Sequence, residues 1–137
     1  MDADTTQARL AAVPLFSGVS PAALTGLAAI ATPVDTTPGQ VLTQQGAAGS
    51  GLFVILEGTV VVERPGRDDV ELGAGQFFGE LALLTDEGVR VARVRARTAG
   101  RCLAVPRAAF VDLLHREPSL AVSLLSVLAE RLAATSA

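Results

Sequence analysis

Hydrophobic and polar positions change period twice along this chain. Near the N-terminus, Leu24, Leu27 and Ile30 recur at helical spacing behind Ser20-Pro21, a capping residue followed by one suited to the first helical position. From about Val34 to Val105 the pattern shortens into β-branched runs broken by glycine and proline. Turns are expected near Pro38-Gly39, from Gly46 to Gly51, at Glu57-Gly58, at Pro65-Gly66-Arg67-Asp68 and from Gly73 to Gly75. Alternation is clearest at Ala92, Val94 and Ala96, which share one face of a strand while Arg93, Arg95 and Arg97 share the other. After Pro106 the helical period returns through Phe110, Leu113 and Leu114. Glu117-Pro118 then opens a last helix, where Leu120, Leu124, Leu128 and Leu132 stand four apart on one stripe beside Leu125.

Many short strands at this spacing predict a mainly β chain, an antiparallel β-roll or jelly roll flanked by N-terminal helices and two C-terminal helices. The 137 residues suit a single domain with a real core. Its expected parts are a helical segment over 1–33, the β-roll over 34–105 and the C-terminal helices over 106–137.

Composition narrows the chemistry. Half of the residues are hydrophobic but the aromatic ones are five phenylalanines, so the core must be aliphatic. A formal charge of −3 gives no general attraction to nucleic acid or to an anionic membrane. An anionic ligand would have to be held by local charge. The lone Cys102 excludes an internal disulfide and fits a reducing compartment; it reads as a small buried hydrophobe. The acidic start, Met1-Asp2-Ala3-Asp4, is unlike a signal peptide, and no apolar run reaches membrane-spanning length. The expectation is a soluble, cytoplasmic domain with no membrane contact.

Catalysis finds no credible residue set. Without lysine or tyrosine, Schiff-base chemistry and tyrosine acids are excluded. The single histidine, His115, lies in a helix-end context and cannot by itself supply a metal site of the several-histidine kind. Gly73, Gly75 and Gly79 miss the Gly-x-Gly-x-x-Gly spacing, and Gly49-Ser50-Gly51 is no nucleophile elbow. No catalytic residue, metal or cofactor is expected, and the chain is read as a non-enzyme.

Binding chemistry is concentrated in Phe77-Phe78-Gly79-Glu80-Leu81-Ala82-Leu83-Leu84 and the Arg90-Val91-Ala92 that follows. A turn opening at Gly79 would aim free backbone N–H groups into a pocket. Arg90 would add a planar, permanently charged, bidentate partner for phosphate oxygens, although alone it could be one more solvated arginine. Glu80 could accept hydrogen bonds from sugar hydroxyls. The loop from Thr85 to Val89 carries Asp86 and Glu87, which would repel a phosphate and so should project outward. The ligand class indicated is a small molecule with one phosphate and at least one hydroxyl.

This segment resembles the phosphate-binding cassette of the cyclic nucleotide-binding domain family, the module of cAMP-dependent protein kinase regulatory subunits, cyclic-nucleotide-gated channels and bacterial catabolite activator proteins. The likeness extends to Leu15-Phe16-Ser17-Gly18-Val19-Ser20, Pro38-Gly39-Gln40-Val41-Leu42, Gln45-Gly46, the run from Leu52 to Val60, and the run from Leu72 to Glu80. It implies a cassette over 78–92 in which Arg90 and the N–H groups of Leu81, Ala82, Val91 and Ala92 hold a cyclic phosphate. Glu80 would take the ribose 2′-hydroxyl, and Val62 and Phe78 would form part of an apolar wall. Leu128, Arg131 and Leu132 would close over the base, with Thr135 and Ser136 as adenine contacts.

Some members of the family carry a serine or threonine directly after the arginine; here Val91 offers only its backbone, which favours cAMP over cGMP. The resemblance implies a regulatory domain that signals by repositioning its C-terminal helix, with no direct nucleic-acid contact of its own. Its output would be a homodimer through that helix, or an effector protein or domain outside this chain. The other reading is a non-enzymatic β-roll protein-interaction module that has lost nucleotide binding.

Overall fold

The computed structural model describes residues 1–43, 51–79 and 93–136. Two four-stranded antiparallel sheets make the β-roll. The strands are β1 (Thr32–Thr36), β2 (Val41–Thr43), β3 (Gly51–Glu57), β4 (Val60–Glu63), β5 (Val70–Leu72), β6 (Phe77–Phe78), β7 (Arg93–Ala96) and β8 (Gly100–Pro106). One sheet runs β1-β8-β3-β6 and the other β2-β7-β4-β5. The helices are α1 (Ala3–Ala11), α2 (Pro21–Ile30), α3 (Arg107–Arg116) and α4 (Pro118–Ser136), with a 3₁₀ turn at Pro14–Phe16. The mainly β roll flanked by helices, expected from the periodicity, is the fold observed.

Glycine punctuation closes the roll. Thr37-Pro38-Gly39-Gln40 and Gly73-Ala74-Gly75-Gln76 form matching turns, each with its glycine at φ 87°. That is the third position of a type II turn, where a residue with Cβ is strained. In each turn the glutamine N–H donates back across the turn over 3.1 Å, to Thr37 O and Gly73 O respectively. Its Oε1 accepts from the N–H of Thr37 at 3.0 Å or Gly73 at 2.8 Å. The two turns also dock onto strands of the roll: Gly39 N–H donates to Ala96 O and Gly75 N–H to Ile55 O, both over 2.8 Å.

At the far end of β3, a Cβ added to Gly100 would stand 2.2 Å from Glu57 O, so the β3–β4 and β7–β8 connections touch through their backbones. Proline placement follows the same logic. Pro33 lies in β1, an edge strand, where a missing donor costs little. Pro106 ends β8 opposite Gly51 instead of opening the next helix, which begins at Arg107.

The chain divides into two compact units, residues 31–108 and residues 1–30 with 109–137. Within the helical unit, Asp2 caps α1 by accepting from Thr5 N–H at 2.7 Å, an element that the hydrophobic pattern did not single out. Ser20 caps α2 as expected, its Oγ accepting from Ala23 N–H at 3.2 Å. Leu10, Leu15, Phe16, Leu27, Phe110, Leu113, Leu120 and Leu124 are buried. Gly26 allows α2 and α3 a close approach, since a Cβ there would meet Leu113 Cδ1 at 2.7 Å. Ser119 Oγ accepts from Ser20 N–H at 3.1 Å, and Ser123 Oγ donates to Leu15 O.

Candidate functional site

Strand alternation sends one set of side chains to the inside of the roll. Ile55, Val60, Phe78, Val94 and Cys102 form a buried cluster drawn from both sheets. Leu42, Phe53, Val62 and Leu72 pack against it while keeping part of their surface open to solvent. The result is an apolar wall with an exposed rim, the surface on which a flat, weakly polar group loses least by leaving water. Phe53 and Phe78 stack with ring centroids 4.9 Å apart and planes 4° from parallel. Val62 and Phe78, singled out from the sequence, are therefore brought together. Leu42, Phe53 and Leu72 were not singled out, although Phe53 stands two residues before Ile55 on the same strand face.

Immediately after β6, Gly79 has φ 95°, a conformation open to glycine and strained for other residues. The chain thus turns sharply at the point where the cassette is expected to begin. Glu80, Leu81, Ala82, Arg90, Val91 and Ala92 lie outside the described residues. On α4, Leu128 and Arg131 are half-buried, and Leu132 is 68% exposed. Thr135 and Ser136 end that helix, and their side chains lie outside the described set.

The outer face of the second sheet is charged, as the arginine alternation predicted, and it is also paired. Arg93 Nε donates to Glu63 Oε1 at 2.8 Å, and Arg95 reaches both oxygens of the same carboxylate at 3.4 Å. Arg97 lies 3.3 Å from Glu71; in the first sheet, Arg101 on β8 likewise donates to Asp35 on β1 at 2.8 Å. Hydrogen bonds from Arg93 and then Arg95 hold the Glu63 carboxyl below its ordinary range. Arg101 does the same for Asp35. These carboxylates are the partners that sequence alternation alone could not name, because they sit on strands distant in the chain.

Two titratable candidates from the sequence remain, Cys102 and His115. Burial pushes the Cys102 thiol up to about 11, which leaves it a neutral hydrophobe at ordinary pH. His115 is exposed in the last turn of α3, with Nδ1 2.9 Å from Val111 O. Among the described residues no three His, Cys, Asp or Glu side chains gather as a metal site. Among them, too, no helix is long and apolar enough to cross a membrane.

Comparison with known proteins agrees with this geometry. The family model for the cyclic nucleotide-binding domain matches residues 33–117. A cyclic nucleotide-gated potassium channel of Rhizobium etli is 37% identical over 122 residues, which make up 89% of this chain and 34% of the channel. A CRP-like cAMP-activated global transcriptional regulator of Mycobacterium tuberculosis is 32% identical over 132 residues, 93% of this chain and 58% of the regulator. The crystal structure of the catabolite activator protein of Thermus thermophilus superposes with a TM-score of 0.78 at 31% identity, over 90% of this chain and 60% of that one. The chain therefore spans between about a third and three fifths of the length of these relatives.

Proposed function

Because the chain belongs to the cyclic nucleotide-binding domain family, we propose that it is a regulatory domain, not an enzyme, whose signal is the binding of cAMP. The observation that carries this reading is the half-open apolar wall inside the roll, which ends at a left-handed Gly79 where the phosphate cassette should start. The wall suits a purine face. Past Gly79, the N–H groups of Leu81 and Ala82, the guanidinium of Arg90 and the N–H groups of Val91 and Ala92 hold the cyclic phosphate. Glu80 accepts from the ribose hydroxyl. The bare valine at 91 leaves a guanine amino group without a side-chain hydroxyl, so cAMP is preferred to cGMP.

Residues 1–137 act as one domain of this kind, in a reducing, cytoplasmic setting that the lone buried Cys102 tolerates. The response lies in α4. Leu128, Arg131 and Leu132, with Thr135 and Ser136, close over the base and favour one helix position over another. The size of that shift is bounded by the difference in ligand affinity between the two positions. Val122, Leu125 and Leu132 remain 62%, 67% and 68% exposed on α4. Their spacing suits pairing with a second copy or with an effector, which receives the signal. Titration calorimetry of cAMP and cGMP into the chain tests the reading. Saturable binding, tighter for cAMP, is expected; no heat from either nucleotide with a folded protein contradicts it and leaves a β-roll interaction module.

A further inference from the structure

The inner face of the first sheet steps down in size along β3. Alternation puts Ile55, Phe53 and Gly51 on that face, and pairing with β8 sets Cys102, Ala104 and Pro106 opposite them. Ile55 and Cys102 are buried in the cluster inside the roll. Two residues along, Phe53 has only the methyl group of Ala104 opposite it on β8, and both are half-buried. Position 51 has to stay without a side chain, because a Cβ there would collide with Val105 O. Opposite it, Pro106 is exposed. Large side chains thus give way to small ones on the side of Phe53 that faces β8. On its other side the ring is already stacked. Phe78, its partner across to β6, lies parallel to it within 4° with centroids 4.9 Å apart. Phe78 is 5% exposed, so the open surface of this aromatic pair belongs to Phe53.

We infer that Phe53 is the residue that stacks on the base of the bound nucleotide, and that the base lies over Ala104 as the third layer of the Phe78–Phe53 stack. The inference rests on the cyclic-nucleotide reading and assigns the base its contact on the roll. Parallel, offset rings attract one another beyond the area they bury. Phe78 holds the Phe53 ring in place before any ligand arrives, so adding a further flat group orders little that is not ordered already. Every base has a π-face, so this contact reads a flat ring and not the groups on its edge. It strengthens cAMP and cGMP alike and leaves the choice between them to other residues.

Calorimetric titration of cAMP and cGMP into the full chain and into Phe53→Leu, Phe53→Tyr and Ala104→Leu tests this. Phe53→Leu keeps an apolar side chain but loses the ring. It should weaken both nucleotides on the order of tenfold, the scale of base–aromatic stacking, with the ratio between them unchanged. Phe53→Tyr keeps the ring and should retain most of the affinity. Ala104→Leu fills the space beside the ring and should weaken both nucleotides while leaving the Phe53–Phe78 pair in place. Wild-type affinity in Phe53→Leu or in Ala104→Leu, or an equal loss in Phe53→Tyr, overturns the inference while nucleotide binding stands. No binding by the wild type, shown to be folded, removes the cyclic-nucleotide reading and the inference with it. Thermal unfolding of each variant sets a temperature at which all of them are folded, so that a lost contact is not mistaken for a lost fold.

Discussion

The inside of the β-roll and the outward face of α4 are both apolar, but only one of them is covered. In the roll, Ile55, Val60, Phe78, Val94 and Cys102 are buried against one another, and Leu42, Phe53, Val62 and Leu72 lean on that cluster with part of each left open. On α4, the leucine stripe divides. Leu120 and Leu124 are buried at 0% and 4% exposure, whereas Val122, Leu125 and Leu132 stand more than half exposed. In the described residues the roll is held by the glycine turns at Thr37–Gln40 and Gly73–Gln76, which dock onto its strands, and by cross-strand ion pairs. The outer half of α4 carries surface that costs free energy to leave in water, and that surface is therefore available for a change of partner. The proposed sensor would use both kinds of region: one to hold a ligand in place and one with somewhere to go.

The largest expected effect comes from breaking the frame. Phe78→Ala removes a buried ring that stacks on Phe53 and should cost about 3–5 kcal/mol in chemical denaturation, with cAMP binding lost alongside. A smaller change at the end of the same strand sharpens the point. Gly79→Val forces a branched side chain into φ 95° and should cost about 1–3 kcal/mol, read as weakened cAMP affinity with the roll still folded.

Acid tests the outer face. Glu63 has its folded-state pKa below the ordinary 4.5, because Arg93 and Arg95 favour the charged form. The unfolded chain takes up the proton first as the pH falls, so the stabilisation is present above about 4.5 and disappears as the pH passes the lower folded value. Melting temperatures from pH 7 to pH 3 should therefore converge for the wild type and Glu63→Gln. Parallel curves would mean the ion pairs stabilise nothing. The smallest effect belongs to α4: Leu125→Glu should change the stability of the isolated chain by less than about 0.5 kcal/mol while abolishing any self-association seen by sedimentation.

Local signals made much of this legible. Ser20-Pro21, the turns at Gly39, Gly58, Gly66 and Gly75 and the alternation at Val94 and Ala96 each carry their meaning within a few residues, and each is found where the spacing puts it; the turn expected from Gly46 to Gly51 falls largely outside the described residues. What the pattern missed is non-local. Glu63 and Arg93 are neighbours only because β4 pairs with β7, and Phe53 meets Phe78 only because β3 pairs with β6. The leucine stripe shows the other difficulty: four equivalent spacings look alike in sequence, yet their burial falls along the helix because covering neighbours reach only part of it. Near the candidate site, the turn at Gly79 was legible from glycine chemistry, whereas Val62 and Phe78, which pack together, were named through the resemblance. The roles of Glu80 and Arg90 rest on resemblance and chemistry.

Those roles meet their most direct test in one comparison, calorimetric titration of cAMP into the wild-type chain and into Arg90→Ala. A phosphate held in the apolar mouth of the roll predicts saturable binding that the variant loses by about 2–5 kcal/mol, the cost of removing one partner of a desolvated charge pair. Equal binding by the two proteins would contradict the phosphate site.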